Sequence, residues 1–299
     1  MSPSRESDSL RALYQGWTDR MVADPAMDLP TMRDMFDQWH STASEPEDVR
    51  YKTETVAGVP VIWALPDGAD EAKLMIYTHG GGFAVGSADS HRKMAGHTAK
   101  ACGANAIVVD YRRAPEDPFP AQLEDSLAVY KELLDRGYKA ENMSTIGDSA
   151  GGNLAVASVL KFREEGLPLP GCVIAYSPWL DMEHKGKTLD TNADTDALVS
   201  RAILEGMAGM FLPEGASPSD PLANPLYADL TGFPRLYINV GGVETLRDNG
   251  ERLHALATAA GVDSTLSIVD GMQHVFPSMS GTAPEVDEEI QRVATWYKK

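Results

Sequence analysis

From residue 51 to the end of the chain, short apolar segments alternate with segments of helix length. The helix-length segments occupy residues 89–102, 119–136, 150–165, 246–260 and 285–297. The apolar segments read, in order, YKTETVAG, VPVIWAL, KLMIYTH, NAIVVDY, MSTIGDS, CVIAYS, RLYINVG and STLSIVD. Continuous β-branched runs between helices are typical of buried parallel strands. The alternation therefore predicts an α/β fold with an eight-stranded, mostly parallel sheet, helices on both faces and the first two strands as an antiparallel edge.

Two segments do not follow this alternation. Residues 1–45 show the spacing of two amphipathic helices joined by a loop around Pro25, without a strand pattern. Residues 180–228 combine a polar loop, a helix at about 198–211 and a stretch rich in Pro, Ser and Asp. We expect both segments to lie outside the sheet and to pack together as a second layer.

The charge balance limits the classes of partner. The chain of 299 residues has 26 Lys and Arg against 44 Asp and Glu, a formal net charge of −18. Because such a surface repels phosphates and anionic lipids, we expect no nucleic-acid partner and no membrane association. The first ten residues lack the pattern of a secretory signal and no apolar run could span a bilayer, which predicts a cytoplasmic protein. Two cysteines, Cys102 and Cys172, are too few for a disulfide framework or a zinc site.

Residues 147–151 read G-D-S-A-G and lie between an apolar strand and an Ala-rich helix. A serine in a G-x-S-x-G turn of this kind projects from the sheet, where it can act as a nucleophile. The glycines on either side, Gly147 and Gly151, let neighbouring backbone pass close by. The simpler alternative is a glycine-rich turn whose serine caps the helix. The strand before the turn and the helix after it favour Ser149 as a nucleophile.

A serine nucleophile needs a base that takes its proton. Of the seven histidines, only His274 falls in a loop after the last predicted strand. Such sheets place their base there, in the chain order Ser, acid, His. His91 and His97 are six residues apart, which is not the i, i+4 spacing of paired metal ligands on a helix. We therefore predict His274 as the base and no metal site.

The base in turn needs a carboxylate that fixes its tautomer. The segment GVETLRDNG, which follows the RLYINVG strand, offers Glu244 and Asp248. Glu244 is nearer the end of the strand and is our choice. Asp248 lies one helical turn further on, where a carboxylate can simply stabilise the start of a helix. It stays a rival for the same role.

Three consecutive glycines, Gly80 to Gly82, follow His79 at the end of an apolar strand. Such a run loses backbone entropy on folding and adds no side-chain packing, so its presence needs a physical explanation. Attack on an ester carbonyl creates an oxyanion that preorganised N–H groups must stabilise. Bare backbone can approach that oxygen without obstruction. We expect the donors to be the N–H groups of Gly81, Gly82 and Ala150.

Five segments together resemble the hormone-sensitive-lipase-like branch of the α/β-hydrolases: HGGGF, GDSAGGNLA, DYRRAPEDPFPA, SPWLD and GMQHVF. The matches run in family order from about residue 60 to the C-terminus. The resemblance implies an α/β-hydrolase fold whose catalytic core is residues 46–179 and 229–299, with residues 1–45 and 180–228 as a helical cap over the active site. It also implies a serine carboxylesterase that acts on small to medium-chain esters without a cofactor.

In the family's pattern the nucleophile falls on Ser149, the base on His274 and the acid on Glu244. Asp248 matches a second acidic position of the same motif. The oxyanion donors fall on Gly81, Gly82 and Ala150, and supporting positions fall on His79, Gly80, Gly147, Asp148 and Gly151.

This chain departs from the family's pattern at three positions. Glu244 stands where the commonest family residue is Asp, and its longer side chain changes the reach of the acid. Arg113 and Asp117 stand where the family's loop more often has Leu and His, which alters a structural loop rather than the chemistry.

The resemblance leaves two other functions open. The Glu-type acid motif also looks like that of relatives that open lactone rings, including monoterpene-derived ε-lactones, so a lactone hydrolase with the same triad is the alternative. Some plant hormone receptors keep this fold and lose the catalytic histidine, and the presence of His274 favours an enzyme over such a binding protein. The expected partner is a small-molecule ester or lactone. A homodimer through an edge strand or the last helix would be in keeping with the family.

Overall fold

The predicted eight-stranded sheet is present in the computed structural model, which describes residues 4–299. Its strands are β1 (Val49–Val56), β2 (Val59–Pro66), β3 (Asp70–Thr78), β4 (Ala104–Val109), β5 (Met143–Asp148), β6 (Cys172–Tyr176), β7 (Arg235–Gly241) and β8 (Ser264–Val269). They lie in the order β1-β2-β4-β3-β5-β6-β7-β8. β1 pairs antiparallel with β2, and β2 with β4, whereas every other pair is parallel. The antiparallel edge and the mainly parallel sheet are thus both confirmed.

Helices cover both faces of the sheet. One face carries α3 (Ala88–Cys102) and α9 (Pro284–Tyr297), and the other carries α4 (Ala121–Asp135), α5 (Ala150–Glu164) and α8 (Arg247–Ala259). Alternate strand residues bury against each layer: Tyr77 of β3 packs with the α3 and α9 side, and Ile76 with the other. Because both faces are covered, β4, β5 and β6 are buried along their whole length. That accounts for their unbroken apolar runs.

The two segments outside the sheet form four helices. They are α1 (Arg5–Ala23), α2 (Leu29–Phe36), α6 (Thr188–Thr191) and α7 (Arg201–Phe211). A 3₁₀ turn at Asp37–Ser41 continues from α2 and carries Trp39, which the sequence places in a longer helix. Trp39 packs edge-on against Trp17 of α1, with ring centroids 5.3 Å apart. The two segments also touch directly, because the Thr18 hydroxyl donates to the Ala197 carbonyl at 2.8 Å.

The parallel strands end together at one edge of the sheet, and this edge gathers the residues selected from the sequence. Thr78 of β3 lies opposite Gly147 of β5, and Tyr176 of β6 lies opposite Asp148. The loops that follow these strand ends therefore converge on one place. Among the described residues, none of the helices combines the length and apolar character that a membrane-spanning segment needs.

Candidate active site

Ser149 occupies a sharp turn between β5 and α5. Its backbone lies at φ 52° and ψ −120°, a conformation that costs a non-glycine residue about 1–3 kcal/mol. Neighbouring backbone leaves no room for side chains on either side: a Cβ on Gly147 would overlap with the Gly151 carbonyl, and one on Gly151 with the Thr78 carbonyl. The Ser149 N–H donates to the Tyr176 carbonyl at 2.9 Å and holds the turn to β6. This packing explains both glycines of the G-x-S-x-G segment.

The structure brings Ser149, His274 and Glu244 together in one hydrogen-bonded chain. The His274 Nε2 atom lies 3.0 Å from Ser149 Oγ, and Nδ1 lies 2.8 Å from Glu244 Oε2. With Nδ1 protonated, His274 donates to the carboxylate and accepts the serine proton. The other carboxylate oxygen, Oε1, accepts the Gly241 N–H at 3.2 Å. Glu244 and His274 are 0% and 2% exposed, so water does not compete for these contacts.

Asp248, the rival acid, lies elsewhere. It stands in the first turn of α8, and its Oδ1 is 3.3 Å from Arg252 Nη1. Its backbone N–H donates to the Thr188 hydroxyl at 2.9 Å. The longer Glu244 side chain reaches the imidazole from the end of β7, and the carboxylate at Asp248 instead joins an ion pair on the helix.

Burial and charge act against each other in this chain of groups. Burial raises the pKa of the Glu244 carboxyl, and the hydrogen bond from His274 only partly offsets that effect. Burial alone would lower the pKa of His274, but the hydrogen bond to Glu244 and its charge outweigh it, so the pKa lies above the ordinary imidazole value. The carboxylate thus stabilises the protonated imidazole in a place that water does not reach.

The loop that carries His274 is held by residues that the sequence analysis did not single out. The Tyr14 hydroxyl of α1 donates to the His274 carbonyl at 3.0 Å. The Trp39 indole N–H in turn donates to the Tyr14 hydroxyl at 3.1 Å. On the other side, the Val275 N–H donates to Ser177 Oγ at 3.0 Å. The polar ends of Tyr14 and Trp39 were the only signal in the sequence that these two residues do more than fill space.

Each of the three consecutive glycines has its own reason. Gly81 lies at φ 114° and Gly82 at φ 59°, where side chains are disfavoured. A Cβ on Gly81 would also overlap with the Val85 carbonyl, and one on Gly82 would lie 2.7 Å from Met207 Cγ. A Cβ on Gly80 would overlap with a carboxylate oxygen of Asp148. We call residues 79–83 the glycine loop.

The three residues predicted to supply the oxyanion donors lie in the glycine loop and at the start of α5, next to Ser149. Gly81 and Gly82 line the same cavity as Ser149 and His274. Ala150 is the first residue of α5, so its N–H is not used by the helix and lies at the positive end of the helix dipole. That these three amides bind an anionic oxygen beside Ser149 stays a prediction.

His79 supports the glycine loop from behind. Its Nδ1–H donates to the Gly80 carbonyl at 2.7 Å, and its ring stacks on Tyr111 with centroids 4.2 Å apart. The Tyr111 hydroxyl donates to the His79 carbonyl at 2.6 Å. Burial lowers the pKa of His79 to about 4, so this imidazole is neutral at pH 7. The remaining supporting residue, Asp148, accepts the Gly80 N–H at 3.1 Å.

The cavity at Ser149 is small and mostly apolar, with a volume of about 40 Å³. Its apolar lining comes from Phe36, Trp39, Val85, Trp179, Leu198, Val199, Ile203, Leu204 and Met207. A second cavity of about 390 Å³ lies on the far side of Ile203 and Met207, between α7 and the α1–α2 loop. A surface cavity of about 1080 Å³ between β8 and α9 contains none of these residues.

This chain is similar in sequence to known hydrolases. A family model described as alpha/beta hydrolase fold matches residues 75–278. An acetyl-hydrolase of Streptomyces hygroscopicus is 35% identical over 288 residues, which cover 90% of this chain and 95% of the relative. An esterase of Acinetobacter venetianus is 32% identical over 226 residues, which cover 76% of this chain and 75% of the relative.

Solved structures agree over nearly the whole chain. An esterase from the bacterial hormone-sensitive lipase family superimposes with a TM-score of 0.94 at 38% identity, covering 100% of this chain and 99% of the other. The esterase EstE5, soaked with p-nitrophenyl butyrate, gives a TM-score of 0.89 at 36% identity, with 99% and 98% covered.

Proposed function

This chain belongs to the hormone-sensitive-lipase-like branch of the α/β-hydrolase fold family, and we propose that it hydrolyses carboxylic esters through an acyl-enzyme on Ser149. Relatives named esterase and carboxylesterase support its assignment as a carboxylic ester hydrolase. The observation that carries the mechanism is the hydrogen-bonded chain from Ser149 through His274 to Glu244, which ends at a cavity walled by the glycine loop.

In the proposed first step, Ser149 Oγ attacks the ester carbonyl carbon while His274 Nε2 takes its proton. Glu244 keeps His274 in the tautomer that can accept this proton, and stabilises the imidazolium that forms. The carbonyl oxygen becomes an oxyanion, which the N–H groups of Gly81, Gly82 and Ala150 bind. His274 then returns the proton to the leaving alcohol.

In the second step, water attacks the acyl-enzyme with His274 again as the base, and Ser149 leaves with the proton. The buried hydrogen bonds of His274 and Glu244 keep both steps in one geometry. This scheme needs no group beyond the chain itself and water.

The size of the cavity favours a short acyl chain. The cavity at Ser149, about 40 Å³, is much smaller than the neighbouring cavity of about 390 Å³, so it accommodates a short acyl group more readily than a medium chain. Ile203 and Met207 line both cavities and separate them. An unbranched methionine changes rotamer readily, so we propose that short esters bind as the structure stands and that longer chains must displace Met207.

Replacing Met207 by alanine is expected to join the two cavities and to shift the preference toward longer esters. Each buried CH₂ is worth about 0.8 kcal/mol, or about fourfold in kcat/KM. The ratio of kcat/KM for octanoate to that for acetate should therefore rise by about tenfold or more. Met94→Ala, a buried methionine of α3 far from both cavities, controls for general loosening. A chain-length profile that matches that of the wild type would show that Met207 does not separate the two cavities.

Hydrolysis of p-nitrophenyl esters from acetate to dodecanoate, with ε-lactones beside them, tests the proposed function. Rapid turnover of the short esters is the expected result. Lactone turnover far above that of every ester would instead support the lactone hydrolase. A wild-type protein that cleaves neither class would contradict the proposed function.

The pH profile should show the effect of Glu244 on His274. The base works only when neutral, and its pKa is raised, so kcat/KM should fall as pH drops through a value above the ordinary imidazole pKa. In Glu244→Gln the charge that raises this pKa is gone and burial still lowers it, so the acid limb should move to lower pH. The profiles can be recorded at the isosbestic wavelength of p-nitrophenol, with high enzyme concentration for the variant. An acid limb that stays in place would show that another group titrates.

A further inference from the structure

Asp148 ties the glycine loop to the turn of Ser149. It precedes Ser149 directly, so its backbone belongs to the nucleophile turn. Its Oδ1 accepts the Gly80 N–H at 3.1 Å and the Tyr77 hydroxyl at 2.7 Å. The carboxylate is 1% exposed, and a Cβ on Gly80 would overlap with its Oδ2. Any shift of this carboxylate therefore moves Gly80, the residue before the two expected oxyanion donors.

The second oxygen of Asp148 is paired with a histidine. His91 of α3 places Nε2 3.4 Å from Asp148 Oδ2, and His91 is 3% exposed. At the other side of the ring, Nδ1 lies 2.9 Å from the Ser90 hydroxyl and 3.3 Å from the Ser87 carbonyl. Nδ1 of the imidazole is thus hydrogen-bonded, and Nε2 faces the Asp148 carboxylate.

The charges support this pairing. Burial raises the pKa of the Asp148 carboxyl, but the charge of His91 and the hydrogen bonds from His91 and Tyr77 outweigh that effect, so the pKa lies below its ordinary value. An ionised carboxylate inside a protein is stable only when paired and hydrogen-bonded. Without His91, the buried Oδ2 would lose the imidazole nitrogen that faces it.

The cap completes the enclosure of His91. The Trp39 ring meets the His91 ring edge-on at 5.4 Å, and the His79 ring lies 5.6 Å from it. These contacts keep bulk water away from the pair in the folded protein.

We propose that His91 is a positioning residue for the oxyanion site: through Asp148 it fixes Gly80, and with it the Gly81 and Gly82 amides, against the turn that carries Ser149. The proposal rests on the proposed ester hydrolysis. His91 and Asp148 lie behind the glycine loop, away from substrate, and act before any substrate binds. Their effect is on the transition state, because the oxyanion exists only there.

The test compares His91→Ala, His91→Gln and His97→Ala. A glutamine amide can donate to Asp148 Oδ2, whereas alanine cannot. His97 lies on the same helix and is half-buried, but its Nε2 contacts the Ser44 carbonyl at 3.0 Å and not the glycine loop. His97→Ala therefore measures what loss of a histidine from α3 does to the fold.

Two readouts separate positioning from plain stability. Rates are divided by the concentration of active sites, titrated with a phosphonate that labels Ser149, so that misfolded protein does not count. Binding of a trifluoromethyl ketone is measured beside KM for p-nitrophenyl acetate. In that adduct Ser149 Oγ bonds to the carbonyl carbon, its proton passes to His274, and the carbonyl oxygen becomes an alkoxide in the oxyanion site.

We expect His91→Ala to lower kcat per active site by about tenfold or more, below the ~10²–10³ that loss of a whole oxyanion donor costs. Ketone binding should weaken by a similar factor while KM stays within about twofold. His91→Gln should recover most of the rate, and His97→Ala should match the wild type. Equal rates per active site for His91→Ala and His97→Ala would overturn the proposal.

Should His91→Ala fail to fold, His91→Asn takes its place, since the asparagine amide is too short to reach Asp148. The proposal then requires a slow His91→Asn and a faster His91→Gln, and equal rates for the two variants would overturn it. If the wild-type protein hydrolysed no ester, the proposed function itself would be wrong. Failure of the proposed function can therefore be distinguished from failure of the proposed role of His91.

Discussion

Replacing Ser149 by alanine is expected to abolish ester hydrolysis, with a loss in kcat on the order of 10⁶, the size of effect measured when such a serine is removed elsewhere. The Oγ atom is the attacking atom, and it donates a hydrogen bond to His274 Nε2. Alanine keeps the backbone turn and the oxyanion donors, so only the residual catalysis of those donors should remain.

The folded state should survive this change, because Ser149 contributes one side-chain hydrogen bond at the edge of a cavity. Ser158→Ala, in the helix α5 that follows Ser149, is the matched control. Its buried hydroxyl contacts Ser126 Oγ at 2.7 Å, so the variant should lose about 1 kcal/mol of stability and little activity. Steady-state kcat and the melting temperature are measured for both variants. A Ser149→Ala protein that keeps a tenth of the wild-type rate would show that the nucleophile lies elsewhere.

The second large effect is expected at Glu244. In Glu244→Gln the carboxylate at 2.8 Å from His274 Nδ1 becomes an amide. When the amide NH₂ faces the ring, Nδ1 must be the acceptor and the proton moves to Nε2, which can then no longer accept the proton of Ser149. Loss of the right tautomer in this way costs about 10⁴ in kcat.

Asp248→Asn is the matched control for Glu244→Gln, since both replace a carboxylate by its amide in one segment. Arg252 keeps its contact with Asp181 at 2.7 Å, so loss of the Asp248 pair should change stability by at most about 1 kcal/mol. Activity should stay near that of the wild type. If kcat fell sharply in Asp248→Asn but stayed near the wild-type value in Glu244→Gln, Asp248 and not Glu244 would be the acid.

Much of the fold could be predicted from the sequence, because fully buried strands are marked by unbroken β-branched runs. The order of the strands in the sheet was harder to predict from the sequence. The chain passes from β2 to β3, but β4 lies between them in the sheet, and no local pattern records which strand becomes the neighbour. Some predicted element ends also differ from the observed ones. β1 starts at Val49 instead of residue 51, and α7 starts at Arg201 instead of about residue 198, because the Ser200 side chain caps it.

The site was predictable where chemistry demands a residue type in a fixed chain order, as for Ser149, His274 and the glycine loop. The supporting contacts were not. His91 looked like an ordinary helix histidine, since its partner Asp148 is 57 residues away and meets it only in the folded chain. Gly80 was predicted as a supporting residue without a stated contact, and the structure shows that it makes room for the Asp148 carboxylate.

The hydrogen bonds from Trp39 to Tyr14 and from Tyr14 to the His274 carbonyl bear on how such enzymes can be recombined. They make the segment of α1, α2 and the 3₁₀ turn part of the support of the base, in addition to lining the cavity through Phe36 and Trp39. This segment is therefore not a module that can be exchanged freely to change substrate range. A chimera that takes this segment from a relative must also bring a hydroxyl to the same carbonyl, or its base will lose a support that no change in pocket shape restores.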